Sequence, residues 1–292
     1  MSAFRLAWED LEKGRVPLPT RARHVNVIEW ATIAAIVPHS GSAFARHLVG
    51  SLYAGDVWVL KRVFPVDFMR DLKERAAAWW KQSPSSFSKM LEGCKDFHRV
   101  IDFETGRKYA FRACRHQSAF YRWNDDPLGL WPTITERWRI VKQLSGYEPD
   151  IYEKNTPKDG VIDRVQVVRY PPRIGYLEPH QDPYPNYRVN VSAYMNTRGR
   201  DYEGGGFYCV DKDDKMVDME QYLEAGDATI ACPPVCHGIA PCDVDKTPDW
   251  EGTDGRWALL MYCADSDQVP QRVTGNPVRG LNLPGTMPQG VE

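Results

Sequence analysis

No apolar run in this 292-residue chain approaches the roughly 20 residues that a membrane-spanning helix needs. The opening segment MSAFRLAWEDLEKGR lacks the basic start, apolar middle and small-residue cleavage site of a secretory leader. The seven cysteines are odd in number and irregularly spaced, which argues against a disulfide scaffold. A reducing, cytoplasmic setting is therefore expected. Tight Cys-x-x-Cys pairs are missing, so Cys232, Cys236 and Cys242 near His237 read as buried thiols rather than a structural zinc site. The formal net charge of -2 supplies no field that would draw nucleic acid or an anionic membrane. Internal repeats and low-complexity segments are also lacking.

What remains is an ordinary globular balance, 42% hydrophobic and 26% charged, long enough for one large domain or one domain with an extension. Ten Trp and fourteen Tyr point first to aromatic packing and second to an aromatic-lined pocket.

Residues 1–160 read as a helical and mixed region that packs on the core and supplies a substrate-covering segment. NVIEWATIAAIV fits a short helix or a strand, and DVWVLKRVF reads as a strand. Pro65 and Asp67 open a helix to about Gln82, with Phe68, Leu72, Ala76 and Trp79 or Trp80 on one stripe. A second helix is expected over Leu130 to Leu144, with Ile134, Trp138 and Val141 inward and Gly146 ending it. Between them, Phe97 to Trp123 alternates aromatic and basic residues, as strands or as a loop over a pocket. Its Arg107, Lys108, Arg112, Arg115 and Arg122 read as a solvated face. Any that faced a pocket would favour a carboxylate- or phosphate-bearing substrate.

From Asp163 the pattern changes to short strands split by Pro-Pro, Gly-Gly-Gly and Glu-Ala-Gly-Asp turns, which suggests a sandwich or jelly roll over 161–268. Gly204-Gly205-Gly206 is a turn and not a phosphate loop, since no helix with Lys-Ser/Thr follows. The tail from 269 to 292 should be mostly irregular. The three regions are expected to form one compact domain.

Within that second half, His180-Gln181-Asp182 is followed by a distant His237 and then Arg256. Residues two apart on a strand face the same way, so His180 and Asp182 can reach one ion while Gln181 points away. Two imidazoles and one carboxylate cover one face of an octahedral metal and leave the other open, the site type of non-haem Fe(II) that also binds co-substrate and O2. A lone His-x-Asp occurs by chance in many chains; the order of the features gives it weight. Arg256 heads the apolar strand Trp257 to Cys263. It either faces solvent or points inward, where its fork would match a carboxylate.

Residues 163–265, about a third of the chain, resemble the core of the Fe(II)/2-oxoglutarate dioxygenases, in particular the prolyl 4-hydroxylase-like branch. RYPPRIGYLEPHQD, YRVNVSAYMN, YEGGGFYCVD, EAGDATIACPPVCHGIAP and GRWALLMYCAD carry the resemblance, in the family's order. It implies an α+β fold with a mainly β core: a double-stranded β-helix, or jelly roll, supported by N-terminal helices. It also implies His180, Asp182 and His237 as iron ligands and Arg256 as partner of the 2-oxoglutarate C5 carboxylate. Tyr194 would assist that carboxylate, and Tyr170 would lie near the chelating end. Asn190 and Ser192 share Tyr194's face and could touch cofactor or substrate. The stretch between His237 and Arg256 is longer than the family's and reads as an exposed loop, CDVDKTPDWEGTD. Asp182 distinguishes the chain from halogenase variants, which lack the carboxylate.

The implied activity is hydroxylation of an unactivated C–H bond of a small molecule, of amino-acid or natural-product type. It would be coupled to decarboxylation of 2-oxoglutarate to succinate, with Fe(II), 2-oxoglutarate and O2 as cofactors; ascorbate is compatible with that chemistry. A protein prolyl hydroxylase, a desaturase or cyclase on the same site, and a non-catalytic jelly-roll binding module are the alternatives. No nucleic-acid or membrane partner is expected, and the sequence does not set the oligomeric state.

Overall fold

The computed structural model describes residues 2–184 and 186–288. Its strands are β1 Val25–Glu29, β2 Val57–Lys61, β3 Phe97–Ile101, β4 Ala113–Tyr121, β5 Val161–Tyr170, β6 Tyr176–Gln181, β7 Asn190–Tyr194, β8 Gly206–Val210, β9 Met216–Asp218, β10 Ala228–Ala231, β11 His237–Ala240, β12 Arg256–Asp265 and β13 Asn276–Pro277. They form one curled mixed sheet in the order β1-β2-β10-β7-β12-β5-β4-β6-β11-β8-β9, with β3 added to β4 and β13 to β6. This is a jelly-roll core. The curl closes through β4. Its first residues, Ala113 and Cys114, pair with Leu177 and Tyr176 of β6, while His116 to Tyr121 pair with Arg169 to Arg164 of β5. One strand thus joins the major sheet to the minor one.

Strand alternation decides what each sheet face meets. On β12, Trp257, Leu259, Met261 and Cys263 are buried in the main core beneath the helices, with Val165 and Val167 of β5 beside them. The intervening Arg256, Ala258, Leu260 and Tyr262 line the interior of the curl. The strand is apolar on both faces because one packs on helices and the other walls a cavity.

The helices Ala3–Lys13, Ser42–Tyr53, Val66–Gln82 and Trp131–Leu144 cover the outer face of the major sheet. In Val66–Gln82 the buried positions are Met69, Leu72, Ala76 and Trp80, a three- to four-residue repeat. Asp67 lies in its first turn, where the helix dipole favours a carboxylate. Trp80 stacks on Trp257 at 4.7 Å and also on His98 and His116. Beyond Leu144, Gly146 takes φ +79 and donates its N–H to the Gln143 carbonyl at 2.9 Å, so the chain turns away.

The segment NVIEWATIAAIV is both things its sequence allows: β1 to Glu29 and a helix from Trp30. The aromatic and basic stretch 97–123 supplies β3 and β4. The connection before Arg256 is mostly exposed, as expected, but anchored. Asp243 is buried, and fully buried Arg169 donates to the carbonyls of Asp249, Trp250 and Asp254 at 2.7–2.9 Å. Those hydrogen bonds give a polar loop fixed backbone positions. The tail contributes the short β13. No described helix is long and apolar enough to cross a membrane.

Candidate metal centre and its cavity

β6 and β11 are antiparallel neighbours, and His180 lies directly opposite His237. The two rings are 4.3 Å apart. Asp182 sits one residue past the end of β6, not within it, and its N–H is held by the Pro233 carbonyl at 3.1 Å. That bond replaces strand pairing in aiming the carboxylate. Asp182 Oδ1 is 3.7 Å from His180 Nε2, and Oδ2 is 3.6 Å from His237 Nε2. One donor atom from each residue lies within 4.8 Å of the others, the only such three-residue group among the described residues.

The hydrogen bonds around the triad leave the right atoms free. His180 Nδ1 meets the Glu178 carbonyl and His237 Nδ1 meets the Val235 carbonyl, each at 2.9 Å. A carbonyl can only accept, so both Nδ1 atoms carry the proton and both Nε2 lone pairs face Asp182. This outer anchoring of the ring is what a metal-binding histidine needs. Asn190 Nδ2 donates to Asp182 Oδ2 at 2.7 Å, fixing the third donor.

Electrostatics point the same way. Burial, with help from His237, pushes the pKa of His180 well below the ordinary imidazole value. Burial raises the pKa of Asp182, against the opposing pull of His237, Arg115 and the Asn190 hydrogen bond. A carboxylate that gains protons easily, beside an imidazole that stays neutral, lacks a positive charge at its centre. The donor set of two neutral nitrogens and one carboxylate fits a mononuclear Fe(II) site with its remaining positions open.

The triad forms part of the wall of a cavity of about 480 Å3, within the usual range for small-molecule pockets. Phe111, from the segment between β3 and β4, stacks on His180 at 4.3 Å. At the opposite wall Arg256 is 2% exposed, pointing inward and not to solvent. Its Nε donates to Glu220 at 2.6 Å, while its buried Nη2 has no partner among the described residues. Tyr194 and Tyr170 lie with ring centres 5.2 and 5.9 Å from the Arg256 guanidinium. The Tyr194 hydroxyl shares a 2.6 Å hydrogen bond with Thr229, and the Tyr170 hydroxyl accepts from Arg115 at 3.1 Å. Ser192 also lines the cavity.

Glu220 and Arg164 were not singled out in the sequence. Glu220 follows β9 in an unremarkable turn and carried no signal. Arg164 did carry one, since with Gln166 it places polar groups at alternate positions of β5, on one face with Ile162 and Val168. Of the basic residues in 97–123, Arg115 and Lys108 line the cavity. Arg122 instead pairs with Asp163 at 2.7 Å.

No protein-family model and no curated protein matches the chain. Solved structures do. A Pseudomonas putida prolyl-4-hydroxylase aligns at 14% identity over 74% of this chain and 96% of its own, with a TM-score of 0.47. A full-length Neurospora crassa protein in complex with alpha-KG and thymine aligns at 8% identity over 82% and 86%, TM-score 0.49. A Trichoplax adhaerens prolyl hydroxylase in complex with a hypoxia inducible factor peptide aligns at 10% identity over 76% and 88%, TM-score 0.45. The likeness is distant. At such identities chemistry has to be read from the residues of the site itself.

Proposed function

We propose that the protein is an Fe(II)- and 2-oxoglutarate-dependent oxygenase that hydroxylates an unactivated C–H bond of a small molecule. The observation that carries this reading is the cross-strand pair His180 and His237, both Nδ1 atoms tied to backbone carbonyls and both Nε2 atoms facing Asp182. His180, Asp182 and His237 would hold the iron. Iron held there would supply the coupling of 2-oxoglutarate decarboxylation and O2 reduction to C–H oxidation.

The chain's own residues position the reactants. The unpartnered Nη2 of Arg256 offers a buried, charged donor to the far carboxylate of 2-oxoglutarate, and its Nε is already committed to Glu220. Tyr194 and Tyr170 flank that guanidinium and close the space around the co-substrate. Asn190 keeps Asp182 turned toward the histidines. Phe111 and the walls from β4, β5 and β12 limit water at the reacting carbon. A cavity of about 480 Å3 suits a small substrate.

Anaerobic addition of Fe(II) and 2-oxoglutarate tests the reading. A weak visible charge-transfer band is expected, followed by succinate on admission of air. No band and no succinate would overturn it.

A further inference from the structure

We propose that the substrate carries a carboxylate, held by the guanidiniums of Arg164 and Arg115 in the cavity beside the metal centre. The inference deepens the oxygenase reading by naming the substrate's chemical class, and it rests on that reading only in calling the anion a substrate.

Arg115 and Arg164 both line the cavity, from adjacent strands β4 and β5. Each has a buried Nε with no hydrogen-bond partner among the described residues. Among the described residues, the hydrogen-bond partners of their other donors are neutral. Arg115 donates to Tyr170 at 3.1 Å and to Gln117 at 2.6 Å; Arg164 reaches the Met90 sulfur at 3.4 Å and lies 4.5 Å over the Tyr262 ring. Neither makes an ion pair with a described carboxylate, whereas Arg256 pairs with Glu220 and Arg272 with Asp267.

The carboxylates of the same cavity are engaged elsewhere. Asp182 faces the two histidines, and Arg115 and Arg164 act on it only as nearby charges, without an ion-pair contact. Asp265 accepts from Asn186 and from the Val273 N–H. Asp267 accepts from the Met90 N–H and from Arg272. A buried cation with an unmade hydrogen bond is costly, and an anion supplied from outside relieves it.

Both guanidiniums act on the same two tyrosines. Burial raises the pKa of Tyr109 and of Tyr262; Arg115 and Arg164 counter the rise at both, after Arg99 at Tyr109. Tyr109, Tyr262, Phe97 and Leu260 surround the same space with mainly apolar surface. A planar carboxylate on an apolar or aromatic body matches a pair of forks set among such walls.

The test uses matched probes on the full chain. Binding of 3-phenylpropionate, hexanoate and N-acetylphenylalanine is measured by calorimetry beside the corresponding amides and 3-phenylpropylamine. At least one acid should bind tenfold or more tighter than its amide. Arg164→Met should bring that acid down to the level of the amide, and Arg164→Lys should restore part of the difference. Arg115→Met should weaken the acid in the same direction. No acid preferred over its amide, tighter binding of the amine, or loss of acid binding with Arg256→Met but not Arg164→Met would each overturn the proposal. Where a variant fails to fold, the acid–amide comparison on the unmodified protein is repeated with saturating Fe(II) and 2-oxoglutarate to occupy Arg256; the acid preference should persist, and its loss would overturn the proposal. Absence of the Fe(II)–2-oxoglutarate band together with acid selectivity would sink the oxygenase reading and leave the anion site standing. The band without selectivity would do the reverse.

Discussion

Glu220 and Arg256 form a buried ion pair, Oε1 to Nε at 2.6 Å, with both side chains 2% exposed. Removing one member strands the other. Arg256→Met should cost about 3–5 kcal/mol in urea unfolding, since Glu220 is left as an uncompensated buried charge. The double variant Arg256→Met/Glu220→Met should recover much of that loss. An additive double variant would show that the two side chains act independently. Where Arg256→Met protein can be prepared, its 2-oxoglutarate requirement should rise at least tenfold.

Metal binding gives a second test that needs no substrate. Mn(II) titrated anaerobically into the metal-free protein should bind at one site, and chelation should remove it. Asp182→Ala should weaken binding by two orders of magnitude or more, because the carboxylate is the only charged donor of the three. Asn190→Ala, which frees Asp182 Oδ2, should weaken it by about tenfold to hundredfold. Unchanged Mn(II) affinity in Asp182→Ala would place the metal elsewhere.

Gly238 offers a test of the strand register. A Cβ there would fall 2.4 Å from the Tyr208 hydroxyl and 2.8 Å from the Leu177 carbonyl of β6. Gly238→Ala should therefore push β11 off β6 and separate His237 from His180. The expected result is weakened Mn(II) binding in a protein whose far-ultraviolet circular dichroism is unchanged. Full Mn(II) affinity would mean that the sheet absorbs the methyl group.

Acid should destabilise the metal-free fold through the imidazoles stacked on Trp80. Burial lowers the pKa of His116 to about 3, aided by Arg169 and His98, and burial lowers that of His98 as well. These groups stay neutral when folded but take up protons once unfolded, below about pH 6.5. Stability is then lost as pH falls below 6.5, for His116 down toward 3, at up to about 1.4 kcal/mol per pH unit per group. Asp96 works against this. Burial raises its pKa to about 6, so its contribution is present at low pH and lost as pH rises from 4 through 6. Urea midpoints across pH 4–7 for the parent and His116→Gln should show a shallower acid slope in the variant. Parallel slopes would remove His116 from the account.

Much of the β core was legible because its strands are short, β-branched and separated by turn residues, and because His180, Asp182, His237 and Arg256 follow a fixed order. The helices 66–82 and 131–144 announced themselves by periodicity. What could not be read was non-local. Nothing in ACRHQSAFY says that it lies between β5 and β6, since pairing partners are set by the whole sheet. The opposition of His180 and His237 depends on the register of two strands joined by a long excursion. The stretch 242–254 is largely the exposed loop its composition suggests, but its anchor, Arg169, lies on β5, far away in sequence, and could not be read. Glu220 was invisible for the same reason: its partner is on β12.

β4 stands between β5 and β6, and this has a consequence for how the molecule is made. β3 and β4 are the first antiparallel pair to leave the ribosome. Both remaining partners of β4 emerge later, with residues 161–181. The growing chain therefore holds a two-stranded ribbon with an unsatisfied edge until the second half arrives to enclose it. Vectorial synthesis and closure of the curl follow the same order. A circular permutant opened between β4 and β5 would reverse that order.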